Sequence, residues 1–141
     1  MVTIQTSVDF EAAHRQYGDD SKCGFLHGHN WKVDFVLQGD KVNSVGYLEN
    51  FTVLKRLTDG MDHKVILKES DPLVQILRSC NQLVYPTREN PTCENIATLL
   101  CNSVMDVYNW KLGPLTMVSV TVWENDVSKA TVTWTPERGL Q

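Results

Sequence analysis

Two stretches of this chain alternate so strictly that they leave little choice of secondary structure. From Val2 to His14 one phase carries Val2, Ile4, Val8, Phe10, Ala12 and His14, while Thr3, Gln5, Ser7, Asp9 and Glu11 fall in the other. The same period recurs further on, with His27, His29, Trp31, Val33, Phe35 and Leu37 set against Gly28, Asn30, Lys32, Asp34 and Gln38. A period of two belongs to a strand with one buried face. An antiparallel pair joined by a long polar loop is therefore expected. Its apolar face would carry three histidines, at the point where the two strands leave and re-enter the loop.

Past Gly39 the period changes. Asn50 is placed to cap a short helix in which Phe51, Leu54 and Leu57 recur at helical spacing until Gly60. Ser70-Asp71-Pro72 reads as a cap followed by a first-turn proline, which predicts a brief helix over Leu73 to Cys80. Between Pro91 and Tyr108, Ile96, Leu99, Leu100, Val104 and Val107 form an apolar stripe behind Thr92, whose hydroxyl can cap the helix. Two more strands close the chain. In Leu115 to Glu124 one phase holds Val118, Val120, Val122 and Glu124, and alternation returns over Ala130 to Trp134 after a turn at Asn125-Asp126. Strand, strand, helices, strand, strand predicts an α+β fold. It would be a four-stranded antiparallel sheet with its helices packed on one face, with residues 1–141 forming a single domain.

A chain of 141 residues with 42% apolar side chains can bury such a core without staples. The formal charge is −4, from 17 acidic and 13 basic residues with no dense basic run, which argues against nucleic acid or an anionic membrane as partner. No apolar run reaches the ~20 residues of a spanning helix. The first residues, Met1-Val2-Thr3-Ile4-Gln5, lack the regions of a signal peptide. A cytoplasmic location is expected, where Cys23, Cys80, Cys93 and Cys101 are thiols that either fill the core or do chemistry.

His27 and His29 are two apart on one strand, so they share a face. Pairing with the first strand brings His14 across to complete a three-nitrogen set. One inward histidine is more often a hydrogen-bonded core residue than a ligand, but three together reverse that expectation. Three histidines and an open fourth position are the arrangement of a catalytic zinc, whereas a closed structural site would need a fourth ligand, for which Cys23 is the nearest in sequence. A cupin-like His-x-His site would need a glutamate shortly downstream, and Asp34 stands in the wrong phase for that role.

Five ordered pieces of the chain are similar to the motifs of one family. They are Phe10-Glu11-Ala12-Ala13-His14, Cys23-Gly24-Phe25-Leu26-His27-Gly28-His29-Asn30, Asp62-His63, Pro91-Thr92-Cys93-Glu94-Asn95 and Val122-Trp123-Glu124. The family is that of the 6-pyruvoyl-tetrahydropterin and 6-carboxy-tetrahydropterin synthases. The resemblance implies the tunnelling fold, in which subunits join their sheets into a barrel, usually as a hexamer. With three residues between Cys23 and His27, the chain resembles the carboxy-forming branch of the 7-deazaguanine and queuosine route. That branch implies conversion of 7,8-dihydroneopterin triphosphate to 6-carboxy-tetrahydropterin, acetaldehyde and triphosphate.

The roles implied by the resemblance are chemically sensible. Zn²⁺ on His14, His27 and His29 would bind the substrate's side-chain oxygens. Cys23 would accept a proton once its thiolate is favoured. His63 would return protons, with Asp62 orienting it. Glu124, a carboxylate on an apolar face, needs a partner. The pterin's ring N–H and amine form a fork that it can accept in two parallel bonds, and the resemblance also gives Glu124 a catalytic place in the proton relay. Thr92 and Glu94, at a helix start, take supporting places in the pterin pocket. Cys80, Cys93 and Cys101 are read as structural thiols. A pyruvoyl-forming synthase is the same-class alternative, and a non-catalytic zinc- and pterin-binding paralogue is the different-class one. The latter would have no need of Cys23.

Overall fold

The computed structural model describes all 141 residues apart from the side chain of Lys111. The two alternating segments form β1 (Val2–His14) and β2 (His27–Gly39), an antiparallel pair in unbroken register from Val2 opposite Gly39 to His14 opposite His27. After them come α1 (Phe51–Arg56), β3 (Lys64–Lys68), α2 (Leu73–Ser79), β4 (Val84–Thr87), α3 (Cys93–Val107), β5 (Leu115–Trp123), β6 (Lys129–Thr135) and β7 (Gly139–Leu140).

The sheet differs from the expected one. It has seven strands in the order β4-β3-β1-β2-β5-β6-β7, not four, and it is mixed: β3 runs parallel to β1 and β4 parallel to β3. Parallel pairing is possible here because long connections intervene. Residues 15–63, which include β2 and α1, separate β1 from β3, and α2 crosses between β3 and β4. β7 adds two short pairings at the far edge.

The helical caps follow the local sequence. The Asn50 side chain accepts from Thr52 N–H, and the Thr92 hydroxyl accepts from Asn95 N–H at 3.2 Å. The first residue of α2 is held by Asp71, whose Oδ1 accepts from Leu73 N–H at 2.8 Å. That same carboxylate receives a two-pronged bond from Arg15, Nε to Oδ2 at 2.7 Å and Nη2 to Oδ1 at 2.5 Å. Burial alone would raise the Asp71 pKa, but the bonds from Arg15 and Leu73 outweigh it, and the carboxyl is held below its ordinary range.

The core lies between one face of the sheet and α3. Phe10 and Ala12 of β1, Trp31, Val33, Phe35 and Leu37 of β2, and Val118, Val120 and Val122 of β5 meet Ile96, Ala97, Leu100, Cys101 and Val104 of the helix. Each fully buried aliphatic side chain here contributes roughly 1.5–3 kcal/mol. The opposite face is polar, with Ser7 bonded to Asp34, and with Ser119 and Thr133, and Thr121 and Thr131, paired through hydroxyls across β5 and β6. At one end of the core face the apolar side chains give way to histidines.

Candidate metal centre

The β1–β2 register sets the geometry. His14 is directly opposite His27, Ala12 opposite His29, and Phe10 opposite Trp31, so three imidazoles and an indole crowd one corner of the core face. Trp31 is fully buried and forms the floor, its ring edge-on to His14 and to His29 at centroid distances of 4.8 and 5.4 Å, with its N–H donated to the Ala12 carbonyl. Glu124, one residue past β5, enters from the next strand. One ligand atom from each of His14, His27, His29 and Glu124 lies within 4.8 Å of all the others.

Backbone carbonyls orient two of the rings. His14 Nδ1 lies 2.8 Å from the Pro91 carbonyl and His27 Nδ1 lies 2.6 Å from the Phe25 carbonyl. A carbonyl only accepts, so each Nδ1 carries the hydrogen and each Nε2 presents a lone pair. Those two Nε2 atoms face one another at 3.1 Å. His29 Nε2 is buried without a hydrogen-bond partner, although it comes within ion-pair distance of Glu124 Oε1, at 3.1 Å.

Burial above all, aided by the other two imidazoles, brings the His14 pKa down to about 4 against the pull of the Pro91 carbonyl and Glu124. Burial likewise lowers the His29 pKa. Lone-pair-bearing nitrogens converging beside a carboxylate fit a divalent cation. Two nitrogens bound at ~2.0–2.1 Å to a tetrahedral Zn²⁺ would stand about 3.3 Å apart, close to the spacing found.

The loop from Arg15 to Leu26 starts and ends next to these ligands. The Gln16 N–H donates to the Cys23 carbonyl at 2.8 Å, and the Ser21 hydroxyl accepts from the Cys23 N–H. Gly24 allows the tight winding, because a Cβ there would run into the Asp19 carbonyl. The loop thus ties Cys23 to the end of the sheet that carries the histidines, with its side chain exposed. The fourth member of the cluster is Glu124, and Cys23 is not among its members.

Residues 3–134 match the family described as 6-pyruvoyl tetrahydropterin synthase. The chain belongs to that family. Among similar proteins, the 6-carboxy-5,6,7,8-tetrahydropterin synthase of Rickettsia typhi is 34% identical over 111 residues, covering 74% of this chain and 80% of the relative. The enzyme of the same name from Haemophilus influenzae is 25% identical over 140 residues, covering 91% and 96%. The fold is also that of a Plasmodium vivax 6-pyruvoyl tetrahydropterin synthase crystal structure. That chain superposes with a TM-score of 0.68 at 19% identity, over 96% of this chain and 99% of the other.

Asp62 and His63 are not brought to the cluster within one chain. His63 Nε2 approaches Glu11 Oε2 at 3.8 Å, while its Nδ1 lies 2.9 Å from Asp62 Oδ1. Glu11 and His14 differ in parity along β1, so they point to opposite faces of the sheet. The bond from Glu11 N–H, then His63, holds the Asp62 carboxyl below its usual range. An open cleft of about 570 Å³ is lined by Glu11, Gly28, Asn30, His63 and Lys64 together with His29 of the cluster.

Thr92 caps α3 beside the Pro91 carbonyl that orients His14, and Glu94 is exposed in the first turn. Two contributors have no signature in the alternation. The Gln16 amide donates to the Pro91 carbonyl at 3.2 Å, steadying the group that fixes His14. Cys93, read above as structural, is buried with its Sγ 3.7 Å from Glu124 Oε2. Burial first, then the charges of Glu124 and Glu94, push its thiol up to about 12. The one sequence clue was its position inside the Thr92-Cys93-Glu94 motif.

Proposed function

We propose that this protein is a zinc-dependent 6-carboxy-tetrahydropterin synthase, a lyase that takes 7,8-dihydroneopterin triphosphate and water to 6-carboxy-tetrahydropterin, acetaldehyde and triphosphate. The observation that carries this reading is the pair of carbonyl-oriented imidazoles, His14 and His27, whose Nε2 atoms converge beside His29 and Glu124. The names of the relatives support the carboxy-forming branch, and with it the 7-deazaguanine and queuosine route in the cytoplasm.

In this reading His14, His27 and His29 hold the metal. When bound, Zn²⁺ supplies Lewis acidity to the two hydroxyl oxygens of the substrate side chain. Glu124, 3.1 Å from His29 Nε2 just past the end of β5, takes a place in the proton relay beside the metal. Cys23, at the exposed lip of the same end, takes a proton from the side chain, and Thr92 and Glu94 shape the pocket wall.

Asp62 and His63 return protons. Because they stand on the sheet's other face, we place them in the site of a second copy of the chain, within a homo-oligomer built as a barrel, a hexamer in the family arrangement.

The deciding experiment incubates the zinc-loaded protein with 7,8-dihydroneopterin triphosphate and identifies products by mass. Acetaldehyde and triphosphate in equal amounts are expected. Triphosphate without acetaldehyde would mean the pyruvoyl-forming reaction, and pterin binding with no turnover would mean a non-catalytic paralogue.

A further inference from the structure

The loop that carries Cys23 and the turn before α3 grip each other in both directions. Asn90 Oδ1 accepts from the Tyr17 N–H at 2.9 Å, and Asn90 Nδ2 donates to the Tyr17 carbonyl at 3.0 Å. One side chain thus satisfies both backbone groups of a loop residue, as a neighbouring strand would. From the other side, Gln16 Nε2 donates to the Pro91 carbonyl at 3.2 Å. That carbonyl also accepts from His14 Nδ1 at 2.8 Å, and the two donors stand 3.4 Å apart on its two lone pairs. The loop end of this clamp leads to Cys23, whose carbonyl accepts from the Gln16 N–H. The other end is braced in the first turn of α3, because the Asn90 carbonyl accepts from Thr92 N–H at 2.8 Å and from Asn95 Nδ2 at 2.9 Å.

The Gln16 amide oxygen is left buried without a partner. Turning the amide over would set that oxygen against the Pro91 carbonyl, which can only accept. An orphaned acceptor is unfavourable, and a leucine would fill similar space without one. The hold on Pro91 is what the glutamine adds.

We propose that Gln16 and Asn90 are positioning residues that couple the metal ligand His14 to the proton acceptor Cys23. Gln16 fixes the direction of the Pro91 carbonyl, and with it the His14 ring. Asn90 fixes the backbone of Tyr17, and through Gln16 the place of Cys23. The two contacts act as one device, since Gln16 reaches Pro91 only while its neighbour is held by Asn90. This rests on the reading of His14 as a zinc ligand and of Cys23 as the proton acceptor. Neither Gln16 nor Asn90 transfers a proton itself.

The test is a double-mutant cycle on Gln16→Leu and Asn90→Ala. It is read by zinc affinity in competition with a chelator, by Tm of the metal-free protein, and by turnover of 7,8-dihydroneopterin triphosphate. Gln16→Leu is expected to weaken zinc binding about 10-fold, the scale of a lost partner behind a ligating histidine. The metal-free Tm should stay the same or rise, because the orphaned oxygen leaves with the donor. Asn90→Ala is expected to weaken zinc about 3- to 10-fold and, at saturating zinc, to lower kcat about 10- to 100-fold with KM within about 2-fold. Asn90→Asp keeps the acceptor for the Tyr17 N–H and should fall between parent and Asn90→Ala. On the Gln16→Leu background, Asn90→Ala should change zinc affinity by less than about 2-fold. If the two effects on zinc multiply, the contacts are independent and the proposal fails. It fails too if Gln16→Leu lowers the metal-free Tm without weakening zinc, or if Asn90→Ala leaves kcat unchanged. If instead His14→Ala keeps full zinc affinity, or Cys23→Ala keeps full turnover, the underlying reading falls and takes the proposal with it.

Discussion

Nε2 of His14 lies 3.1 Å from Nε2 of His27, and the Nδ1 of each ring is already held by a backbone carbonyl. With each Nδ1 given to a carbonyl, both Nε2 lone pairs are aimed at one place and neither ring is free to change tautomer. A divalent cation there would meet two ligand atoms already oriented for it.

Removing a ligand should abolish the metal. His27→Ala is expected to hold far less than one zinc per chain by elemental analysis. Zinc at a hundredfold excess over its dissociation constant should stabilise the parent by about 2.7 kcal/mol, and a chelator should reverse the rise in Tm. A variant that retained full zinc would move the site elsewhere.

The metal-free protein should lose stability as the pH falls from about 6.5 to 4. The His14 pKa is lowered from 6.5 to about 4 in the folded chain, so across that window the unfolded state binds the extra proton. The contribution is fully present above 6.5, amounts to at most about 3.4 kcal/mol, and is gone below 4. Urea unfolding at pH 7 and pH 4.5 measures it against His14→Phe, in which this part of the slope should vanish.

Cys23→Ala is expected to keep stoichiometric zinc while its turnover of 7,8-dihydroneopterin triphosphate drops by at least about a hundredfold, the scale of losing a general base. Release of the metal by this substitution would make Cys23 a ligand and overturn its assignment as proton acceptor.

Because Asp62 and His63 lie across the sheet from the histidine cluster, two inactive variants should rescue each other. Cys23→Ala and His63→Ala, unfolded and refolded together in equal amounts, are expected to regain about a quarter of parental activity. That is the share of sites drawing an intact Cys23 from one copy and an intact His63 from another. Recovery no greater than the sum of the separate variants would place both residues in the same chain.

Asp71→Asn is expected to cost about 2 kcal/mol in chemical denaturation, since it leaves the Arg15 guanidinium partly buried with its ion pair broken and weakens the hold on α2. The Asp71 carboxyl is held below its ordinary value of 3.8 in the fold. Its stabilising effect is therefore present above that value and fades as pH falls through the lower folded pKa. Parent and variant should converge in strong acid.

The long strands and their histidines were legible because alternation over 13 residues admits one secondary structure and places same-phase side chains together. β3 and β4 were not. Lys64–Lys68 is an unbroken apolar run between two lysines, and Val84–Thr87 contains Pro86, which reads as a break and is tolerated because β4 is an edge strand. Their pairing is parallel and depends on partners distant in sequence, so no local pattern encodes it. The phase of Glu124 could be read from Val118, Val120 and Val122. Its meeting with His29 and Cys93 could not, because it depends on how α3 packs against the end of β5. The face on which His63 falls came only from its contact with Glu11.

β1 is a partition with a different tenant on each side. At its His14 end it presents one imidazole of the cluster to the core, and three residues earlier it presents Glu11 to His63 on the other face. A twist or slide of this one strand displaces both. A substitution that touches neither group, at Ala12 or Ala13 for instance, can therefore disturb both arrangements at once.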